Sequence, residues 1–569
     1  MVRRDPLDGA RFHPTGRRRI VIPALLAALG MSLAVPAGAS AQGRGGQRGA
    51  QPGGAPAQGA APSAEAGARG SGAPALTSLV RDTMSQSPTR ILALAEAPPV
   101  VTHHTMTLNG QAIGYTAYTG MLPIRNERTN VTEGGMFFVA YVKDGANPAT
   151  RPLSFIFNGG PGSASVWLHM GAFGPKRVDL QPDGEAGPPP YRYEDNPNTL
   201  LDQTDMVFID PVGTGYSRAT KPEYGQNFWG LNEDLNTVAE FIRLYLTQYN
   251  RWGSPKFLMG ESYGTTRAAG LSGVLADKGI VVNGVVLIST VLDFEASSTA
   301  KGNDIGYVNF LPTYAATAWY HKRLPADLQS QPVDKVAAAA EQWASTDYLV
   351  ALMKGARMSA AERQKTIDQL ARFTGLSKDV IDHNDLRVNL GTFDGELLKD
   401  ERVRVGRLDG RFTGYDPIAS GGGFGGGGGG IGDPSEVNIR NSFTPVLSEY
   451  VRTELNYKLD DVYYILGGGI GRWNYPQSNS YATVTPNLER AFAKNPRMRL
   501  YVAEGYYDAA TPYYAAEWTL AHMDVSPDVR AHNVTVGRFT AGHMVYIDQP
   551  SMKRLRADLA KFIDAAVAR

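Results

Sequence analysis

The sequence contains no cysteine at all. That absence excludes disulfides, zinc–thiolate sites, iron–sulfur clusters and a cysteine nucleophile together. It also has almost no net charge, because 56 Lys plus Arg stand against 55 Asp plus Glu, leaving a formal +1. Such a balance argues against a dedicated nucleic-acid binder or a polyanion trap. Long apolar runs are scarce too. The most prominent one spans residues 20–35 and is interrupted by Pro23 and Gly30, so it falls short of the ~20 residues a bilayer-spanning helix needs. Arg17, Arg18 and Arg19 precede it, and Ala39-Ser40-Ala41 follows as a small-residue cleavage site. Residues 1–41 therefore read as a signal peptide, with Gln42 as the new N-terminus and an uncleaved anchor as the alternative. Export to the periplasm or beyond is the expectation, with no stable membrane insertion after cleavage. Exported chains of this size can rely on their core and need no cross-links.

What is present is the composition of a large globular protein: 569 residues, 43% hydrophobic and 20% charged. Glycine is abundant, at 64 residues, and two tracts hold much of it. Residues 42–75 are rich in Gly, Ala, Pro, Gln and Ser without apolar periodicity, and read as a disordered spacer. Residues 420–432 are nearly pure glycine. They read as a flexible surface loop, since no Lys-Ser/Thr and no strand–helix context marks a phosphate cradle.

Between the tracts the pattern is α/β. Residues 101–118 alternate apolar and polar around Asn109-Gly110, the signature of a hairpin. Strands are expected at 136–142, 153–157, 206–209, 257–259, 282–288, 499–503 and 533–539. Leu231, Leu235, Val238, Ile242 and Tyr245 recur at helical spacing, and residues 552–567 make a last amphipathic helix. Alternating strands and helices imply a mostly parallel central sheet flanked by helices. From about 297 to 480 the strand signal fades and helix formers dominate, as in 334–352 and 359–373. The chain therefore divides into a first core part at 76–296, an inserted, mainly helical cap at 297–480, and a second core part at 481–569.

Gly260-Glu261-Ser262-Tyr263-Gly264 follows an apolar run and precedes a helical stretch. This is the context of a nucleophile elbow, in which flanking glycines let a tight turn expose a serine oxygen at the sheet's carboxyl edge. A serine hydroxyl needs a base, and in this class acid and histidine follow the serine in order. Of nine histidines, His543 is the best placed, in Ala541-Gly542-His543-Met544 directly after a strand. The acid should end the preceding strand, which makes Asp508 the favoured residue and Glu504 the rival. Asn158-Gly159-Gly160-Pro161-Gly162 ends another strand, where backbone N–H groups can approach an oxyanion. Asp210-Pro211-Val212-Gly213-Thr214-Gly215 is a further Gly-rich strand end.

These motifs, in this order, resemble the serine carboxypeptidase family, and the chain looks like a bacterial exported member. The resemblance runs from about Thr102 to the C-terminus. It implies an α/β-hydrolase fold and an enzyme that removes C-terminal residues from peptides or proteins, best at acidic pH, with no cofactor and no metal. Carried over by position, Ser262 is the nucleophile, His543 the base and Asp508 the orienting acid. Gly160 and Tyr263 supply the oxyanion N–H groups, while Asn158 and Glu261 bind the substrate's terminal carboxylate. A carboxyl hydrogen-bonds to a carboxylate only when one of the two holds a proton, so a Glu261 contact favours acid. Three departures stand out. Ala172 occupies the place of a second carboxylate-binding glutamate, Ser163 stands where a cysteine is common, and Gly264 replaces the usual alanine. Ala172 keeps open an esterase or acyltransferase on the same triad. An inactive exported interaction protein is the rival from another class.

Overall fold

The computed structural model describes residues 88–415 and 432–568. The signal peptide (1–41), the spacer (42–75) and all of the glycine tract but Gly432 lie outside the described residues. Among the described residues, no helix is long and apolar enough to cross a membrane.

The core is a ten-stranded sheet in the order β1-β2-β3-β7-β4-β9-β10-β13-β14, with β8 paired to β3. Its antiparallel side holds β1 (Val100–Leu108), β2 (Gln111–Arg125), β3 (Thr132–Lys143) and the two-residue β8 (Arg218–Ala219). Asn109 and Gly110 both take positive φ, 51° and 77°, as the tight β1–β2 turn requires. Its parallel side runs β7 (Asp205–Ile209), β4 (Leu153–Phe157), β9 (Lys256–Ser262), β10 (Gly284–Thr290), β13 (Arg499–Gly505) and β14 (Val534–Phe539). β4, β7 and β10 are buried at every position. That is why they read as continuous apolar runs rather than alternations.

Successive strand residues feed opposite faces. Met259, Ile156 and Val286 pack with Leu555, Leu559 and Phe562 of the C-terminal helix Gln549–Val567. Their neighbours Leu258, Phe155 and Val285 pack with Leu235, Val238 and Leu271 from the helices Leu231–Gln248 and Tyr263–Asp277. Two apolar layers thus sandwich the sheet and fix the carboxyl ends of β4, β9, β13 and β14 at one edge.

Between β10 and β13 the chain is mainly helical and builds a cluster of its own, with Leu311, Tyr314, Leu352, Leu370 and Phe393 at its centre. The expected helix at 334–352 is broken here. Helix Val333–Trp343 passes through a wider turn, Ala344–Tyr348, into Leu349–Lys354. The sequence showed no strands in this stretch, yet β11 (Val403–Val405) pairs with β12 (Thr413–Tyr415). A second unexpected pair joins β5 (Lys176–Val178) to β6 (Tyr193–Asp195). Three-residue strands are too short to show an alternation.

Candidate active site

The turn after β9 is tight. Ser262 sits at φ 60°, ψ −132°, a conformation that persists only when its surroundings over-determine it. Here they do. A Cβ on Gly260 would stand 2.0 Å from the Gly264 carbonyl oxygen, and one on Gly264 would stand 2.7 Å from that of Phe157. The Thr265 hydroxyl donates to the Ser262 carbonyl at 2.6 Å, and that of Thr266 to Val291 at 2.6 Å. Glycines at 260 and 264 are therefore a packing requirement, and the strain is borne at the serine between them.

The turn after β4 leans on the same helix start. A Cβ on Gly159 would meet the Tyr263 nitrogen at 2.3 Å, so only glycine lets the segment carrying Gly160 lie against Tyr263. Beneath both turns is a buried ion pair, Arg267 Nε to Asp234 Oδ2 at 2.8 Å. Arg267 also donates to the Asn158 carbonyl at 2.6 Å and lies over the Phe157 and Tyr263 rings, 5.4 Å from each centroid. The third Gly-rich motif is a brace. Asp210 accepts from Ser165 N and from the Tyr463 hydroxyl, each at 2.8 Å, and burial lifts its carboxyl to about 6. Gly215 is needed because a Cβ there would fall 1.8 Å from Asp210 Oδ2.

Asp508 follows the end of β13, and His543 follows β14. The imidazole Nδ1–H donates to Asp508 Oδ2 at 2.8 Å. Asp508 also accepts from Ala510 N, Thr511 N and the Thr511 hydroxyl at 2.8 to 2.9 Å. Burial disfavours the His543 cation. The charge and hydrogen bond of Asp508, with the Glu261 charge, outweigh that burial and raise the imidazole above its ordinary value. Its other nitrogen, Nε2, lies 3.8 Å from Glu261 Oε1, on the residue preceding Ser262. Among the described residues, the Ser262 hydroxyl makes no hydrogen bond with this ring. Such contacts are often long in the free enzyme and tighten with substrate. Glu504, the rival acid, points elsewhere. It accepts from Thr290 N at 3.2 and 3.3 Å, and full burial holds its carboxyl well above the usual range.

A strap from the β11–β12 connection crosses both of these loops. The Arg407 carbonyl accepts from Ala509 N (3.1 Å), that of Leu408 from His543 N (2.6 Å), and Gly410 N donates to Tyr507 O (2.9 Å). Asp409 Oδ2 accepts from Gly542 N at 3.1 Å. Arg411 holds Asp409 at 2.8 Å and Asp548 at 3.1 Å. One short segment thus bonds to the residues on either side of Asp508 and to the loop that carries His543.

Asn158 and Glu261 are brought together. The Asn158 amide and the Tyr546 hydroxyl both donate to Glu261 Oε2. Asn158 Oδ1 is held by Leu168 N at 2.9 Å. Burial dominates and lifts the Glu261 carboxyl to about 7, against the lowering influence of His543, Tyr546 and Asn158. Ala172 is fully buried in the wide turn Leu168–Phe173. Sequence reasoning missed Tyr546, Thr511 and Asp409. Tyr546 lies only three residues after His543, but nothing in the pattern there marks it.

The fold is that of an α/β-hydrolase, a mostly parallel central sheet flanked by helices. Residues 109–321 match the family model for serine carboxypeptidases. Among curated relatives, a pheromone-processing carboxypeptidase KEX1 from Coprinopsis cinerea is 30% identical over 155 residues, covering 26% of this chain and 23% of that protein. Carboxypeptidase Y of Saccharomyces cerevisiae is 28% identical over 160 residues, 26% of this chain and 25% of that one. The serine carboxypeptidase ctsa-3.1 of Caenorhabditis elegans is 30% identical over 193 residues, 32% and 29%. The matches therefore span under a third of each relative's length. Among solved structures, the prohormone-processing carboxypeptidase KEX1 of Saccharomyces cerevisiae aligns with a TM-score of 0.47 at 17% identity, covering 79% of this chain and 91% of that one.

Proposed function

We propose that the chain is a serine carboxypeptidase that hydrolyses C-terminal peptide bonds through an acyl-enzyme on Ser262. His543 Nε2 takes the hydroxyl proton as Ser262 Oγ attacks the scissile carbonyl, and returns it to the departing amine. Asp508 orients the ring and stabilises its cation. The N–H groups of Gly160 and Tyr263 hold the oxyanion. Water, activated by the same histidine, then releases the acyl group. Asn158 and Glu261 hold the terminal carboxylate of a peptide or protein substrate. The segment 297–480 serves as a cap over this edge, and residues 1–41 direct export.

The observation that carries the reading is the 2.8 Å bond between His543 and Asp508, with the opposite imidazole nitrogen turned to the residue that precedes the strained Ser262. The test has two parts. A fluorophosphonate should label Ser262 in the folded protein. No adduct would leave only the reading of an inactive interaction protein. Rates should then be compared on a blocked dipeptide acid, its C-terminal amide and a simple ester. The acid should be preferred over the amide. Equal cleavage of both would favour the second reading, an esterase or acyltransferase, which the buried Ala172 at the second glutamate position supports.

A further inference from the structure

Glu261 is held asymmetrically. Two donors, the Asn158 amide and the Tyr546 hydroxyl, converge on Oε2, while Oε1 is the oxygen that faces His543 Nε2 at 3.8 Å. An oxygen that accepts from two donors is a poor place for a proton, because the carboxyl O–H would have to point at another hydrogen. A neutral Glu261 therefore carries its proton on Oε1, the oxygen turned to the catalytic edge.

We propose that Tyr546 is a positioning residue for substrate selection, which with Asn158 locks Glu261 so that Oε1–H is presented as a donor to a free peptide carboxylate. This deepens the function proposed above and rests on it. The burial is consistent. Tyr546, Asn158 and Glu261 are all buried, and a Cβ on Gly171 would stand 2.8 Å from the Tyr546 ring, so the phenol is wedged against the residue next to Ala172. A phenol does not titrate below about 10, and burial moves that of Tyr546 higher still. Its support of Glu261 is thus the same at acid and neutral pH, which a second glutamate could not offer. The charged or titratable groups bearing on Glu261 are His543, Asp508 and Tyr546. His543 must be neutral to act as base, and Glu261 must be protonated to donate. The two demands oppose each other: the first is lost as pH falls through the raised imidazole, the second as pH rises through about 7, where burial places the Glu261 carboxyl.

The test uses Tyr546→Phe in the full chain, which keeps the ring and removes only the hydroxyl. In the wild type, kcat/KM for the dipeptide acid should fall as pH rises through about 7, while that for the ester should not. In the variant the acid should lose at least tenfold more than the amide or ester, mainly through KM. Its falling limb should also move to higher pH, since the lost donor had favoured the charged carboxyl. A merely structural role would lower all three substrates together and leave the limb in place, and that result overturns the proposal. A wild type that takes acid and amide equally refutes the underlying function before the variant is made. Independently of turnover, difference infrared spectroscopy should show a protonated-carboxyl band that vanishes in Glu261→Gln and shifts in Tyr546→Phe. An unshifted band overturns the proposal as well.

Discussion

The serine side of the site and the histidine side are built by different means. Around Ser262 the contacts come from the ends of the central strands and the helices beneath them. Glycines at 159, 260 and 264 let three backbone segments touch, and Arg267 closes the underside. Around His543 the support is remote. The two loops that carry Asp508 and His543 are held by a strap roughly a hundred residues or more upstream in the chain, through Leu408, Asp409 and Gly410. A turn packed between the ends of the central strands stands as long as the sheet itself stands. Loops aligned by another segment inherit that segment's position. The comparison teaches that the geometry at Ser262 belongs to the sheet edge, whereas that of Asp508 and His543 is conditional on the strap.

Substitutions sharpen this contrast, in order of decreasing free energy. Ser262→Ala should lower turnover by about 10⁶-fold while thermal unfolding stays close to wild type. A variant that still turns over would move the nucleophile. Asp508→Asn should cost about 10⁴-fold in kcat, because the ring loses its correct tautomer. An unchanged rate would pass the acid role to Glu504. Arg267→Ala strands the buried Asp234 and should cost about 3–5 kcal/mol of stability in denaturant titrations. If it costs nothing measurable, the serine side is not self-supporting from below. Asp409→Ala removes the acceptor for Gly542 N and should lower kcat by up to about 10²-fold by displacing the base. Fluorophosphonate labelling should slow in parallel. Wild-type labelling kinetics would show that the strap does not align the histidine side.

The smallest effect belongs to Glu504→Gln. Glu504 is buried with its folded-state carboxyl raised. Its contribution to stability is thus complete below the unfolded carboxyl value and is lost as pH rises through the folded one. The Gln variant should match wild type in melting temperature near pH 4 and exceed it increasingly toward pH 8, with activity within about threefold. A constant difference across pH would mean that Glu504 is ionised in the folded protein.

Much of this was legible in the chain because its signals are short-range. The runs that became β4, β9 and β10 and the Asn109-Gly110 turn announce themselves within a few residues, and so does the glycine spacing around Ser262. Strand ends alone placed Asp508 and His543 on neighbouring loops. What stayed hidden depends on contacts across long separations. β11 and β12 are too short for periodicity, so Asp409 looked like any polar residue in a helical stretch. Tyr546 looked like a core aromatic, and only the fold brings its hydroxyl to Glu261. Ala172 could be seen to differ, but not that a phenol lies against its neighbour. The helix break at Ala344–Tyr348 falls on Ser345 and Thr346, whose hydroxyls donate back to the Glu341 and Gln342 carbonyls, a local competition that the apolar pattern does not register.

The order of the parts along the polypeptide has a consequence for biosynthesis. Ser262 is translated roughly 280 positions before His543, and β13 and β14 are the last strands of the sheet along the chain. The turn at Gly260–Gly264 is therefore synthesised well before the segments that carry Asp508 and His543. Under the function proposed above, the site is complete only once these strands have been made, so its assembly waits until synthesis is nearly over.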